Sequence, residues 1–166
     1  MLFRSQIIDS IIRLKKLEDV ITVADYVLKL AREETDLFLE RSDENKLDYN
    51  NISALDPKQK LVFGRLTYYR NYEKEQKNRK EVVLSKLIDS YVSDLIALLN
   101  SSYRYILGIL ELDNRNYDKD RILLISETFN KSELLNCALT LNEAKNKLNT
   151  NASLLLLVEE MLLNFI

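Results

Sequence analysis

Glycine and proline are almost absent from this chain: two glycines and one proline occur in 166 residues. Soluble proteins average about 7% glycine, and tight-turned sheets and phosphate-binding loops depend on this residue because it adopts backbone conformations that other residues avoid. Gly64 and Gly108 lie far apart, so the chain has neither a P-loop nor a dinucleotide-binding fingerprint. The chain is therefore expected to be all-α.

Apolar residues recur at helical spacing along most of the chain, and they predict one helical domain over residues 1–166, a bundle with one long helix. Asn130 followed by Glu133 is a capping-box signal for one of its helices. The polar segment 41–55 is predicted to be a loop. The predicted helices are 2–17, 19–40, 57–112 with a candidate bend near Asn100, 121–129, 131–148 and 152–166.

The longest predicted helix begins at Asp56-Pro57, where the aspartate can cap the helix and proline suits the first helical position. In its middle, residues 73–81 carry seven charges in nine positions, four positive and three negative. We predict that this segment is a solvated helix face. A contact arm for a partner is the alternative.

The residue types that most often carry chemistry are missing or isolated. The chain has no histidine, which is the commonest general base and metal ligand. Its one cysteine, Cys137, lies on an apolar helical stretch, the usual setting of a buried, unreactive thiol. Carboxylate pairs such as Glu159-Glu160 have no histidine beside them. No catalytic residue, cofactor or metal site is predicted.

Charge and hydropathy indicate a cytoplasmic protein. The net charge is −2 with both signs mixed, so no global field attracts nucleic acid. No uninterrupted apolar run exceeds five residues, the length of the run 154–158, which is far shorter than the roughly 18 residues needed to span a bilayer. A single cysteine fits a reducing compartment.

The C-terminal stretch reads as a helix, an asparagine-rich break at 149–151 and an almost wholly apolar helix. A helix that is apolar nearly all round needs cover on more than one side. An oligomer interface would supply that cover, and so would a central position in the bundle. The pattern alone leaves both open.

This tail resembles the C-terminal end of clamp-loader subunits of bacterial DNA polymerase III, in particular delta-prime subunits of the actinobacterial type. Residues that match the family pattern are Glu143-Ala144-Lys145, Leu148, Asn151, Glu159, the charged segment 73–81 and Tyr103-Arg104. The chain departs from the pattern at Tyr105, where the family has aspartate, and at Leu154, where proline is common.

The resemblance implies a helical collar domain that holds a subunit in the clamp-loader ring, with gamma/tau and delta subunits as partners. It implies no catalysis, no small-molecule ligand, no membrane contact, and contact with DNA only through the assembled loader. The expected interface residues are Tyr103, Arg104, Asn151, Leu155, Glu159 and Met161. The alternatives are a stand-alone helical adaptor or nucleic-acid-binding module, and a helical enzyme that uses carboxylates and tyrosines.

Overall fold

The computed structural model describes residues 2–44, 65–148, 150 and 153–166, with side chains from residue 4 to 41 and from residue 74 onward within those ranges. The described residues are all-helical and contain no strand, which confirms the predicted fold class. The α-helices are α1 (Leu2–Ile12), α2 (Asp19–Glu44), α3 (Arg65–Ile106), α4 (Lys119–Thr128), α5 (Lys131–Lys147) and α6 (Leu154–Leu162), and a 3₁₀ turn (Leu163–Phe165) follows.

One hydrophobic core takes residues from all six helices. The long helix α3 is its centre, since it packs against α1, α2, α4 and α5. Its buried stripe includes Leu84, Ile88, Val92, Leu95 and Leu99, which repeat at intervals of three to four residues and so face one side of the helix. Residues 74–81, which precede this stripe, contain no buried side chain, as expected for a solvated helix face.

The first two predicted helix boundaries need correction. Helix α1 ends at Ile12 rather than at residue 17, because the amide of Leu14 bonds the Ile11 carbonyl at 3.1 Å in a tighter turn. Leu14 is buried although it lies beyond the end of the helix, so the apolar pattern extends past Ile12. Helix α2 runs to Glu44, and residues 41–44 are therefore helical rather than loop. The rest of the predicted loop, residues 45–55, lies outside the described residues.

The long helix ends at Ile106, six residues before the predicted end. Gly108 has a positive φ of 71°, and its amide donates to the Tyr105 carbonyl at 2.9 Å, while the Ile109 amide donates to the Arg104 carbonyl at 3.0 Å. This pair of bonds is a Schellman motif, which terminates helices at a left-handed residue. Helical structure continues through the candidate bend at residue 100. The predicted start at Asp56-Pro57 lies outside the described residues.

Replacing Gly108 with alanine is expected to lower the free energy of unfolding by about 1 kcal/mol. A Cβ atom built at this position meets no other atom within 4 Å, so the expected cost is that of the left-handed backbone alone. Gly108→Asn is the matched control, because asparagine tolerates this conformation better, and it should lose less. Urea denaturation of the three proteins measures the difference. Equal losses in both variants would contradict a backbone origin.

Helices α4 and α5 begin close to their predicted starts. Helix α4 begins at Lys119, two residues before the expected position. At α5 the predicted capping box is confirmed: the Asn130 side chain accepts the amides of Ser132 and Glu133, each at 3.0 Å. The Glu133 carboxylate accepts the Asn130 amide at 2.7 Å. These reciprocal bonds satisfy amides that the first turn leaves free, and so they fix where the helix starts.

The last helix, α6, lies antiparallel to α5 and also packs against α2. The antiparallel order follows from two contacts: Lys147 reaches Glu160, and the Cys137 thiol reaches the Asn164 carbonyl. Helix α6 begins at Leu154, with Ser153 at the cap position, rather than at Ala152.

Candidate protein-interaction surface

Helix α6 buries one side and exposes the other. Leu157 and Val158 are among its residues in the core, whereas Leu156 is 64% exposed and Leu163 at its C-terminal end is 50% exposed. Leu163 begins the 3₁₀ turn that follows α6, and a spacing of seven residues, about two helical turns, puts it on the same side as Leu156. The sequence left open whether this helix was central or at an interface. Here it closes the core on one side and presents leucines to solvent on the other.

The exposed side of α6 is the candidate surface, and we call it the outer face. It consists of Leu156, Glu159, Glu160, Leu163 and Ile166, of which the last is also half exposed. An apolar stripe flanked by two carboxylates suits a partner helix that has an apolar stripe and basic flanks.

One of the two outer-face carboxylates is paired within the chain. Lys147 of α5 donates to Glu160 at 2.7 Å, and this hydrogen bond raises the pKa of the lysine. Glu159 makes no ion pair within the part of the chain that the structure describes. Glu159 is therefore the carboxylate of this face that remains available to a cation on a partner.

The five expected interface residues that the structure describes do not share one surface. Leu155 and Glu159 on α6 are partly buried, as is Tyr103 near the end of α3, where Arg104 is exposed. Met161 is only 6% exposed and belongs to the core. The register of α6 against α2 and α5 turns this side chain inward. Asn151 lies outside the described residues.

The two leucines that define the outer face, Leu156 and Leu163, were absent from the expected set. Their sequence signal was the uninterrupted run of leucines, which shows that α6 is apolar all round but does not show which side faces the core. Glu159 and Glu160 gave part of the information about which side of α6 faces solvent. Two adjacent acids on an apolar helix mark the side that stays near water.

The prediction that the single cysteine is buried is confirmed. The Cys137 thiol is buried and donates to the Asn164 carbonyl at 2.8 Å. Burial raises the pKa of this thiol, with a smaller contribution from Glu133, so the reactive thiolate is disfavoured. The described side chains contain no group of three or more Asp, Glu or Cys residues placed to hold a metal ion.

Other exposed apolar residues lie at five more places. They are Leu17 and Ile21 around the start of α2, Tyr26, Leu37 and Phe38 farther along α2, Val82 on α3, Leu135 and Leu139 on α5, and Leu107, Ile109 and Tyr117 between α3 and α4. Isolated exposed apolar side chains are normal on soluble proteins. The outer face combines two exposed leucines, seven residues apart, with a pair of acids beside them.

Comparison of the chain with protein-family models, curated proteins and solved structures gives no match. Among the described helices, none is long and apolar enough to cross a membrane.

Proposed function

We propose that this chain is a non-catalytic assembly domain that binds other proteins through helical surface. Its partners are the gamma/tau and delta subunits of a DNA-replication clamp loader. The observation that carries the assembly role is the outer face of α6, where Leu156 and Leu163 remain exposed on a helix whose opposite side closes the core.

The energetic case rests on apolar area. A stable protein interface typically buries on the order of 1,600 Å² in total, and burial contributes roughly 25 cal/mol per Å² of apolar surface. Exposed leucines at the centre of such an area add to binding, while Glu159 adds charge complementarity toward a basic partner. The outer face combines both features on one rigid helix.

The identity of the partners rests on the sequence resemblance. The family pattern places a helix with Glu-Ala-Lys and leucine before an apolar helix with a later glutamate. In this structure Ala144 and Leu148 pack in the core, and Glu159 lies on the outer face. The pattern thus combines two core residues with one that lies on the outer face.

A nucleic-acid-binding module is the second candidate, and the exposed lysines of α3 favour it. Lys74, Lys77 and Lys80 are all exposed along the helix. Glu75 and Glu81 lie among them, so the segment is nearly neutral. Binding to nucleic acid would weaken steeply as salt increases, whereas an apolar interface would respond little.

The test is binding of the purified chain to gamma/tau and delta subunits, followed by size-exclusion chromatography and calorimetry. Leu156→Asp is expected to weaken this binding at least about tenfold, since it places an unpaired charge in a desolvated interface. Ile109→Asp is the matched control, because Ile109 has nearly the same exposure, 63% against 64%. It lies outside α6, so this variant should bind as the wild type does.

Two results would contradict the proposal. Separate elution of the wild-type chain and the subunits at micromolar concentration would contradict the assignment of gamma/tau and delta subunits as partners. Equal binding by wild type and Leu156→Asp would contradict the assignment of the outer face as the interface.

A further inference from the structure

A second surface is a groove bounded by α2, α3 and the start of α6, which we call the α2–α3 groove. Its volume is about 710 Å³, in the range of roughly 300–1,000 Å³ typical of ligand clefts. Leu84, Leu148 and Leu154 are among the apolar residues that line it. Thr35 also lines it, but its hydroxyl donates to the Ala31 carbonyl at 2.8 Å. The floor therefore favours an apolar occupant.

Charged side chains line the same groove from both long helices. Helix α2 contributes Arg32 and Asp36, and α3 contributes Lys77, Lys80 and Glu81. Lys80 pairs with Asp36 at 2.5 Å. Arg32 and Lys77 make no ion pair or hydrogen bond in the part of the chain that the structure describes, and neither does Glu81. Three cations against two carboxylates leave a net positive charge.

We propose that the α2–α3 groove binds an acidic peptide segment of a partner protein, in which carboxylates flank a large apolar side chain. The carboxylates pair with Arg32 on one helix and Lys77 on the other. The apolar side chain covers the leucines of the floor, including Leu155. Leu156 and Leu163 do not line the groove, so this binding is separate from the outer face and from the proposed assembly with clamp-loader subunits.

Two features of the groove select this occupant. Peptide segments commonly bind by laying apolar side chains into grooves between helices. A guanidinium can hold a carboxylate through two parallel hydrogen bonds, whereas an ammonium acts as a compact charge. Arg32 and Lys77 together offer both kinds of site on either side of an apolar floor. A purely apolar peptide would leave Arg32 and Lys77 without partners, whereas a basic one would meet two unpaired cations and a single unpaired carboxylate, Glu81.

The test uses the full chain and a fluorescein-labelled synthetic peptide in which Asp-Glu pairs alternate with leucines. Fluorescence anisotropy should show saturable binding, and the double variant Arg32→Glu/Lys77→Glu should weaken it about tenfold or more, because two attractions become repulsions. The matched control is Lys29→Glu/Lys74→Glu. It changes the net charge equally and alters exposed lysines of the same two helices that do not line the groove.

The control variant is expected to bind within about twofold of wild type, and Leu156→Asp should retain peptide binding even where it loses the clamp-loader subunits. Circular dichroism establishes that each variant is folded. Absence of peptide binding by the wild type, or equal weakening in the two double variants, would overturn the proposal. So would tighter binding of a single-stranded oligonucleotide that the groove variant abolishes, which would assign the groove to nucleic acid.

Discussion

Replacing Leu141 with alanine is expected to lower the free energy of unfolding by about 3 kcal/mol. Leu141 lies on α5 with 0% of its surface exposed and belongs to the core. The truncated side chain removes buried apolar area and leaves a cavity that the surrounding helices fill only in part, and both effects act in the same direction. Urea denaturation should show a lower midpoint with an unchanged slope, because the surface exposed on unfolding stays nearly the same.

Leu139→Ala is the matched control for Leu141→Ala. It lies two residues away on the same helix and makes the same chemical change, but Leu139 is 63% exposed. Its expected loss is within about 0.5 kcal/mol, as for most surface substitutions. Similar losses at the two positions would contradict the assigned rotation of α5 about its own axis, and with it the set of residues placed on the exposed side.

The helix starts were the part of the fold that the sequence predicted best, because capping is local. Asn130 and Glu133 form the capping box of α5 by themselves, so four residues of sequence suffice. Helix ends were predicted less well. Leu110 and Leu112 pack against the core after α3 has ended, so the apolar pattern continues past the helix. Gly108, and not the end of the apolar pattern, marks where α3 stops.

The candidate surface was predicted in outline only. The sequence showed that α6 has more apolar surface than a helix on the outside of a bundle normally needs, and the structure leaves two leucines of that helix exposed. Which leucines these are depends on how α6 packs against α2 and α5. Such packing joins residues distant in sequence, and it placed Met161 in the core and Leu156 outside.

Arg121 connects three segments of the chain through one guanidinium group. Its Nε and Nη2 atoms donate to the two carboxylate oxygens of Asp9 on α1, at 2.8 and 3.2 Å. Its Nη1 atom donates to Asp118 at 2.9 Å, and Nη2 also donates to the Ser5 hydroxyl at 2.8 Å. Only arginine offers this set of donors in a fixed plane. The cluster therefore holds α1 against α4.

Arg121→Ala is expected to lower the free energy of unfolding by about 2 kcal/mol at neutral pH, because hydrogen bonds to charged groups are lost and two carboxylates remain close together. Arg115→Ala is the matched control. Arg115 also pairs with an aspartate, Asp113, but within an exposed turn at 3.2 Å, so its loss should be within about 0.5 kcal/mol. Urea denaturation at pH 7 measures both variants, and similar losses would contradict a special role for Arg121.

The pH dependence separates the ion pair of Arg121 from simple packing. The hydrogen bond from Arg121 is the largest influence that holds the pKa of Asp9 below its ordinary value of 3.8. A carboxyl group whose pKa is lower in the folded state stabilises the fold fully above its unfolded pKa, and this stabilisation is lost as the pH falls through the folded pKa. The difference in unfolding free energy between wild type and Arg121→Ala should therefore stay constant from about pH 7 to 5 and shrink below about pH 4. A difference that persists unchanged at the lowest pH at which both proteins still fold would show that Arg121 acts through the packing of its aliphatic stem and not through Asp9.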